Sequence, residues 1–247
     1  MIKSSYLTVI LLAFCSNMLF AQHAPAWGGG ADQSDISFGF SFSYVSSYLK
    51  INKDPNWQTP FPDPETGAPL TPALTAISSK NSSGFAVGFI TRYRITDHLE
   101  ARTTPSLVFA DRMLNYTYAT DDPQLRSVDK KITTTTVDVP LLLKIKSDRL
   151  GDYRGYLIGG VKFSGAIGSK KNNDNLDLTE RLVRNKGFFT SYEAGIGCDI
   201  YFEYFKLSPE IKISNSIGNI LLKENHPYST PLSSLSLHTI EFSLHFE

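Results

Sequence analysis

Phe205-Lys206-Leu207-Ser208-Pro209-Glu210-Ile211-Lys212-Ile213-Ser214 carries an apolar side chain at every odd position and a charged or hydroxyl one at every even position. Successive side chains of a β-strand point to opposite faces, so this stretch reads as a strand with one oily and one ionic face. The same alternation recurs on both sides of it. Ile36–Lys50 sets Phe38, Phe40, Phe42 and Tyr44 against Gly39, Ser41 and Ser43, and Gly84–Ile95 sets Phe85, Val87, Phe89, Tyr93 and Ile95 against Gly88, Arg92 and Arg94. Leu99–Arg112 opposes Leu107 and Phe109 to Glu100, Arg102, Thr104 and Ser106. It carries Pro105 on the apolar phase, where the missing N–H costs a ladder hydrogen bond and makes this the least regular strand. Ile132–Lys146 opposes Val137, Val139, Leu141, Leu143 and Ile145 to Asp138, Lys144 and Lys146. Arg154–Gly168 sets Leu157, Val161, Phe163 and Ile167 against Gly160, Lys162 and Ser164. Phe188–Phe202 sets Phe188, Tyr192, Ile196, Ile200 and Phe202 against Ser191, Glu193, Gly195, Gly197 and Asp199. Leu237–Phe246 sets Ile240, Phe242, Leu244 and Phe246 against Glu241, Ser243 and His245. Eight strands of about 10 to 15 residues are longer than the usual soluble strand and match a tilted crossing of a bilayer.

The connections give an independent test, because a transmembrane barrel alternates short periplasmic turns with longer outer loops. Ile51–Ser83, Met113–Lys131, Ser169–Gly187 and Asn215–Ser236 are long, whereas Thr96–His98, Ser147–Tyr153 and Glu203–Tyr204 are brief. The first long loop holds Pro55, Pro60, Pro62, Pro64, Pro69 and Pro72, which predicts an extended, stiff segment rather than a folded one.

Ahead of the strands, Lys3 precedes the apolar run Leu7–Phe14, and Met18-Leu19-Phe20-Ala21 ends in a small residue before Gln22. That is the pattern of a cleavable signal peptide, residues 1–21. The run is broken by Ser16 and Asn17 and is too short for a spanning helix, and bulky Phe14 ahead of Cys15 argues against lipid modification. Residues 22–35 are then a periplasmic lead-in and 36–247 the barrel. Cys198 is the one cysteine left after processing, so no internal disulfide forms. The formal net charge is zero, without the basic stripe of a nucleic-acid binder.

Which face meets lipid is decided by the ionic phase. A soluble sandwich or lipocalin-like barrel would bury the oily face, whereas an outer-membrane barrel would turn it outward. Arg92, Arg94, Glu100, Arg102, Asp138, Lys144, Lys162, Glu193, Asp199, Glu210, Lys212 and Glu241 lie on the polar phase of most strands, mixed in sign. The lumen of an eight-stranded barrel is narrow enough to be filled by side chains, so these charges are expected to pair across it and leave no open channel. Tyr44, Tyr48, Tyr93, Tyr116, Tyr118, Tyr153, Tyr156, Tyr201 and Tyr204 lie at strand ends and are expected to form interfacial girdles. The Phe-rich last strand suits recognition by the barrel-assembly machinery. The fold expected is an all-β, eight-stranded antiparallel transmembrane barrel in the outer membrane, in contact with its lipid.

Common catalytic and metal signatures are missing: there is no Walker loop, G-x-S-x-G, H-E-x-x-H or paired cysteine cluster. No enzyme activity, cofactor or metal is therefore expected. The sharpest catalytic alternative pairs His238 with Ser234 or Ser236 near the outer rim, as in a lipid-modifying barrel, but it lacks an orienting acid at a defined spacing. Asp174 and Asp177, with Asn172, Asn173 and Asn175, lack the ligand spacing and closing Glu of a calcium loop.

Asp199-Ile200-Tyr201-Phe202-Glu203-Tyr204-Phe205-Lys206-Leu207-Ser208-Pro209-Glu210-Ile211-Lys212-Ile213-Ser214, followed by Ile217-Gly218-Asn219-Ile220-Leu221, resembles the PorT (SprT) family of Bacteroidetes outer-membrane barrels. Gly28-Gly29-Gly30 and the ending Glu241-Phe242-Ser243-Leu244-His245-Phe246-Glu247 are compatible with it. Phe202, Tyr204, Phe205, Ser208, Pro209, Glu210 and Asn219 carry the resemblance. It implies a component needed for protein export by the type IX (Por) secretion system, which in some species is tied to gliding motility. Other secretion-system proteins would then be its partners, met through the loops and rim. A generic structural or adhesive small barrel is the alternative.

Overall fold

The computed structural model describes residues 34–123, 125–167 and 177–247. The expected signal peptide, Gly28-Gly29-Gly30 and Asn172–Asn175 lie outside them. Among the described residues all regular structure is strand: β1 Ile36–Lys53, β2 Leu74–Lys80, β3 Ser82–Arg94, β4 Leu99–Thr103, β5 Ser106–Tyr118, β6 Ser127–Lys146, β7 Tyr153–Ile167, β8 Arg184–Asn185, β9 Phe188–Tyr201, β10 Lys206–Ser216, β11 Leu221–Leu222 and β12 Leu232–Phe246. Ten of these form one antiparallel sheet, and pairing of β1 with both β12 and β3 closes it into a ring.

The ring has eight crossings, because β2 with β3 and β4 with β5 are each one interrupted crossing. The β4–β5 crossing keeps register through its break: Thr91↔Thr103 and Gly88↔Ser106 belong to the same ladder against β3. Against β6 the ladder is likewise interrupted between Thr103↔Leu141 and Ser106↔Asp138, where Thr104-Pro105 meets Val139-Pro140. Two prolines, each without an N–H, account for the gap. The irregular strand is thus a full crossing that runs on to Tyr118, beyond the Arg112 limit drawn from sequence. Closure removes the exposed strand edges that a flat sheet would present.

Parity sets which side of the wall each residue takes. Phe38, Phe40, Phe42, Phe85, Phe89, Leu141, Leu143, Ile145, Leu157, Ile196, Ile211, Ile213, Ile240 and Phe242 project outward and exposed. An oily outer belt of this size is unstable in water and suits the hydrocarbon of a bilayer. The long connections lie at one end and the turns after β3, β6 and β9 at the other. The proline-rich first loop is folded, contrary to its composition. Pro62 bridges Pro69, Asp63 N–H donates to the Ala68 carbonyl (2.8 Å), Leu70 N–H to the Phe61 carbonyl (2.7 Å), and Phe61 is buried. Gly67, at φ +71°, supplies the left-handed residue that this small hairpin needs.

Candidate functional site

The interior of the barrel is filled, in two layers of opposite chemistry. Toward the short turns, inward positions carry charge. Among the described residues, eight cationic side chains (Arg92, Arg102, Arg112, Lys144, Lys146, Lys162, Lys206 and Lys212) are buried there with seven anionic ones: Glu100, Asp138, Glu193, Asp199, Glu210, Glu241 and Glu247. Isolated charges in such a space would be prohibitively costly, so the pairing is what makes the layer possible.

Glu100, Glu247, Glu193 and Glu210 are each shared between cations. Arg92 donates to Glu100 at 3.1 Å and forms an ion pair with Glu247 at 2.8 Å, Lys206 pairs with the same Glu247 at 2.9 Å, and Lys146 pairs with Glu100. Lys144 donates to both carboxylate oxygens of Asp199, at 2.8 and 2.7 Å, and the Ser208 hydroxyl adds a third donor at 2.6 Å. Arg102 pairs with Glu210, which also accepts from the Tyr156 hydroxyl at 2.8 Å and faces His245 Nε2 at 3.4 Å. Tyr156 also lies under the Lys144 ammonium, 3.8 Å from its ring centroid. Gly197 makes this arrangement possible: a Cβ there would stand 2.3 Å from the Tyr156 ring. Lys162 spans Asp138 (3.3 Å) and Glu193 (2.8 Å), and Lys212 reaches Glu241 at 3.5 Å.

Toward the long loops the same inward phase becomes apolar. Leu49, Leu114, Tyr116, Ile132, Leu232, Leu235 and Leu237 from the walls pack with Val183, Ile220, Leu221 and Tyr228 from the loops. The segment 217–231 is drawn into the mouth as a plug. Asn219 pins it: its Oδ1 accepts from Leu221 N–H (2.9 Å) and Leu235 N–H (3.0 Å), and its Nδ2 donates to the Ser233 carbonyl. The Tyr116 hydroxyl donates to the Tyr228 carbonyl at 2.6 Å. β8 and β11 form a short two-stranded clasp, Arg184 pairs with Glu224 at 3.1 Å, and Lys223 reaches Asp54 of the first loop at 3.2 Å. His226 is wholly buried in this plug, and burial pushes its imidazole down to about 4.

Of the twelve charges assigned to the lumen from sequence, eleven are in it. Arg94 is the exception. As the last residue of β3 it lies at the rim, partly exposed, and pairs with Asp35 at 3.0 Å. Arg112, Lys146, Lys206 and Glu247 were not counted among them; Lys146 and Lys206 share the parity of neighbours that were. The tyrosine girdle is also revised: Tyr44, Tyr48, Tyr93, Tyr153 and Tyr204 face outward, but Tyr116, Tyr118, Tyr156 and Tyr201 are buried. Of the residues that carry the resemblance, Phe202 and Phe205 stack at 4.7 Å across the turn that holds Tyr204. Ser208 and Glu210 belong to the ionic layer, Pro209 sits between them on β10, and Asn219 pins the plug. His238 contacts Asn215 and lies against Tyr48, whereas the Ser234 hydroxyl accepts from Asn52 at 2.8 Å, so that serine is engaged elsewhere. Asp177 uses its backbone carbonyl to cap Glu180 and Arg181.

None of the curated proteins is significantly similar in sequence. Among solved structures, OprG from Pseudomonas aeruginosa is 11% identical, with a TM-score of 0.47 over 85% of this chain and 92% of that one. Neisserial surface protein A is 10% identical (TM-score 0.38; 86% of this chain and 98% of that one). The outer membrane protein AlkL, determined in lipid bilayers, is 12% identical (TM-score 0.38; 92% and 93%). The sequence profile of the outer membrane protein beta-barrel domain matches residues 20–222, most of the length. With its oily belt, closed ring and filled interior, the chain belongs to that family of outer-membrane β-barrels.

Proposed function

We propose that this protein serves protein export by the type IX secretion system as an assembly or support component, and that it is neither a conduit nor an enzyme. The observation that argues against a conduit is the doubly sealed interior: paired charges fill one end of the lumen and a loop plug the other. A filled eight-stranded barrel is too narrow to pass a protein. What remains available to partners is the outer loop surface and the turn-side rim. Support for the export role comes from the resemblance over residues 199–214 and 217–221, whose residues Ser208, Glu210 and Asn219 hold the two fillings in place. The test is deletion of the gene followed by assay of secreted cargo. Retention of cargo inside the cell, restored by the wild-type copy, is expected; unchanged secretion would leave a structural or adhesive barrel. Reconstituted in a planar bilayer, the protein is expected to conduct no steady current.

A further inference from the structure

At the loop end the outward face of the wall passes from oil to polar groups, and the two sides of the barrel do so differently. On the β2–β5–β6 side the outward lysines are neutralised within the protein. Lys131 holds Asp111 at 2.7 Å and Lys80 holds Asp129 at 3.0 Å, with the Asn115 amide donating to the same Asp129 at 2.6 Å. On the β9–β10–β12–β1 side the belt ends in uncharged polar side chains. Tyr192, Asn215, His238 and Tyr48 stand side by side in register on these four strands and share the outward parity of Ile196, Ile213, Ile240 and Phe42. His238 Nδ1 is bonded to Asn215 Oδ1, and its ring centroid lies 4.8 Å from that of Tyr48. One step further toward the loops come Lys50 and Ser236, paired in register, and then Asn52, whose amide donates to the Ser234 hydroxyl at 2.8 Å. Lys50 is exposed and has no acidic partner among the described residues, and the outward positions of these four strands carry no carboxylate.

We propose that Lys50 and Ser236, above the Tyr48–His238–Asn215 row, bind the phosphate group of an outer-leaflet lipid. Lys50 shares the parity of Phe38, Phe40 and Phe42, so its methylene stem runs along the lipid side of the wall and carries the ammonium to the headgroup layer. Tyrosine and histidine present an apolar body with a polar tip, and a row of such rings marks the depth at which hydrocarbon gives way to headgroups. A charge at that depth without a counter-ion in its own protein is compensated by an anionic headgroup. The ammonium offers three donors and the Ser236 hydroxyl a fourth, a set that suits the several acceptor oxygens of a phosphate. On the opposite wall Asp111 and Asp129 already occupy the lysines, so the site is one-sided.

Native mass spectrometry of the full-length protein, released from detergent micelles doped with one lipid at a time, tests this. Dioleoyl phosphatidic acid is expected to remain as one bound molecule, retained about fivefold better than dioleoyl phosphatidylcholine; equal retention of the two would overturn the proposal. Lys50→Gln should remove that preference and Lys50→Arg should keep it. Lys80→Gln and Lys131→Gln should leave it unchanged. A preference that survives Lys50→Gln, or that falls to the same extent in all three glutamine variants, would mean diffuse charge attraction and overturn the site. Millimolar inorganic phosphate should fail to displace the lipid; displacement would make this a site for a soluble anion and overturn the assignment to lipid.

Discussion

The two ends of the barrel interior are built on the same strands at the same parity, yet they are held by different physics. On β12, His245, Ser243 and Glu241 give way to Leu237 and Leu235; on the β4–β5 crossing, Arg102 gives way to Leu114, Tyr116 and Tyr118. At the turn end the wall alone fills the lumen, with long side chains that reach across to one another. At the loop end the barrel needs material from outside the wall, and the chain supplies it as the 217–231 plug. An ionic filling adds little net stability but is intolerant of losing one partner, whereas an apolar filling contributes by area and degrades gradually. The turn end is therefore the specific half and the loop end the adaptable one.

The largest break in that comparison is expected from Glu210→Ala, which strands Arg102 among buried groups. It should cost about 3–5 kcal/mol, read as a fall in the midpoint of the heat-modifiable gel shift. The double variant Arg102→Met with Glu210→Leu should recover most of the loss; failure to recover would mean that the pair matters for more than charge balance. Leu114→Ala, at a fully buried position of the plug layer, should cost about 2–5 kcal/mol. Its mark should be proteolytic cutting in 217–231 while the turn end stays resistant. Loss of resistance at both ends together would show one cooperative interior instead of two layers. Asn219→Ala removes two acceptor bonds and one donor bond that pin the plug and should cost about 1–3 kcal/mol. Faster hydrogen exchange confined to 217–222 and 233–235 is the measurement.

Acidity should sharpen the contrast further. His226 sits in the plug with Glu224 at 3.6 Å, and the charges of Arg181 and Lys130 oppose its protonation. Its ordinary value of 6.5 is pushed down to about 4, so between those pH values an opened plug takes a proton that the closed one refuses. The contribution of His226 is complete above pH 6.5 and is lost as the pH falls toward 4. Hydrogen exchange of 224–230 should rise over that window in the wild type and lose its pH dependence in His226→Gln. Least affected should be Lys80→Ala, which breaks a largely exposed pair with Asp129 and should change stability by about 0–1 kcal/mol.

The turn-end layer was legible in the sequence because charge at every second residue has one economical explanation in a closed barrel. Even the irregular crossing at Pro105 was traced, since the parity of Glu100, Arg102, Thr104 and Ser106 survives the break. The loop-end layer was not legible, for a physical reason. Where the interior is apolar the phase inverts: Leu114, Tyr116 and Tyr118 point inward while Asn115 and Thr117 point outward, so the charged inward phase that marks a wall is missing there and at Leu232–Ser236. Those residues read as loop although they are strand. The burial of Tyr116 and Tyr118 was lost with them, because a tyrosine at a strand end suits a girdle equally well. Arg94 shows the complementary failure: parity gives the side of the wall but not the depth, and the last residue of β3 has run out of wall. Arg112 could have been suspected from its even number in the β4–β5 crossing; that it stacks on Phe189 is visible only in three dimensions.

Thr104-Pro105 and Val139-Pro140 stand beside each other in the wall, leaving a stretch of β4–β5 against β6 without ladder bonds. The β9–β10 ladder is also interrupted, where Ser208-Pro209 meets Cys198-Asp199 close to the turn, whereas the boundary of β4–β5 with β6 carries its ready-made nick at mid-height. Under mechanical load applied across the barrel, rupture should start there, and the ring should peel open into a sheet with β4–β5 and β6 as its torn margins.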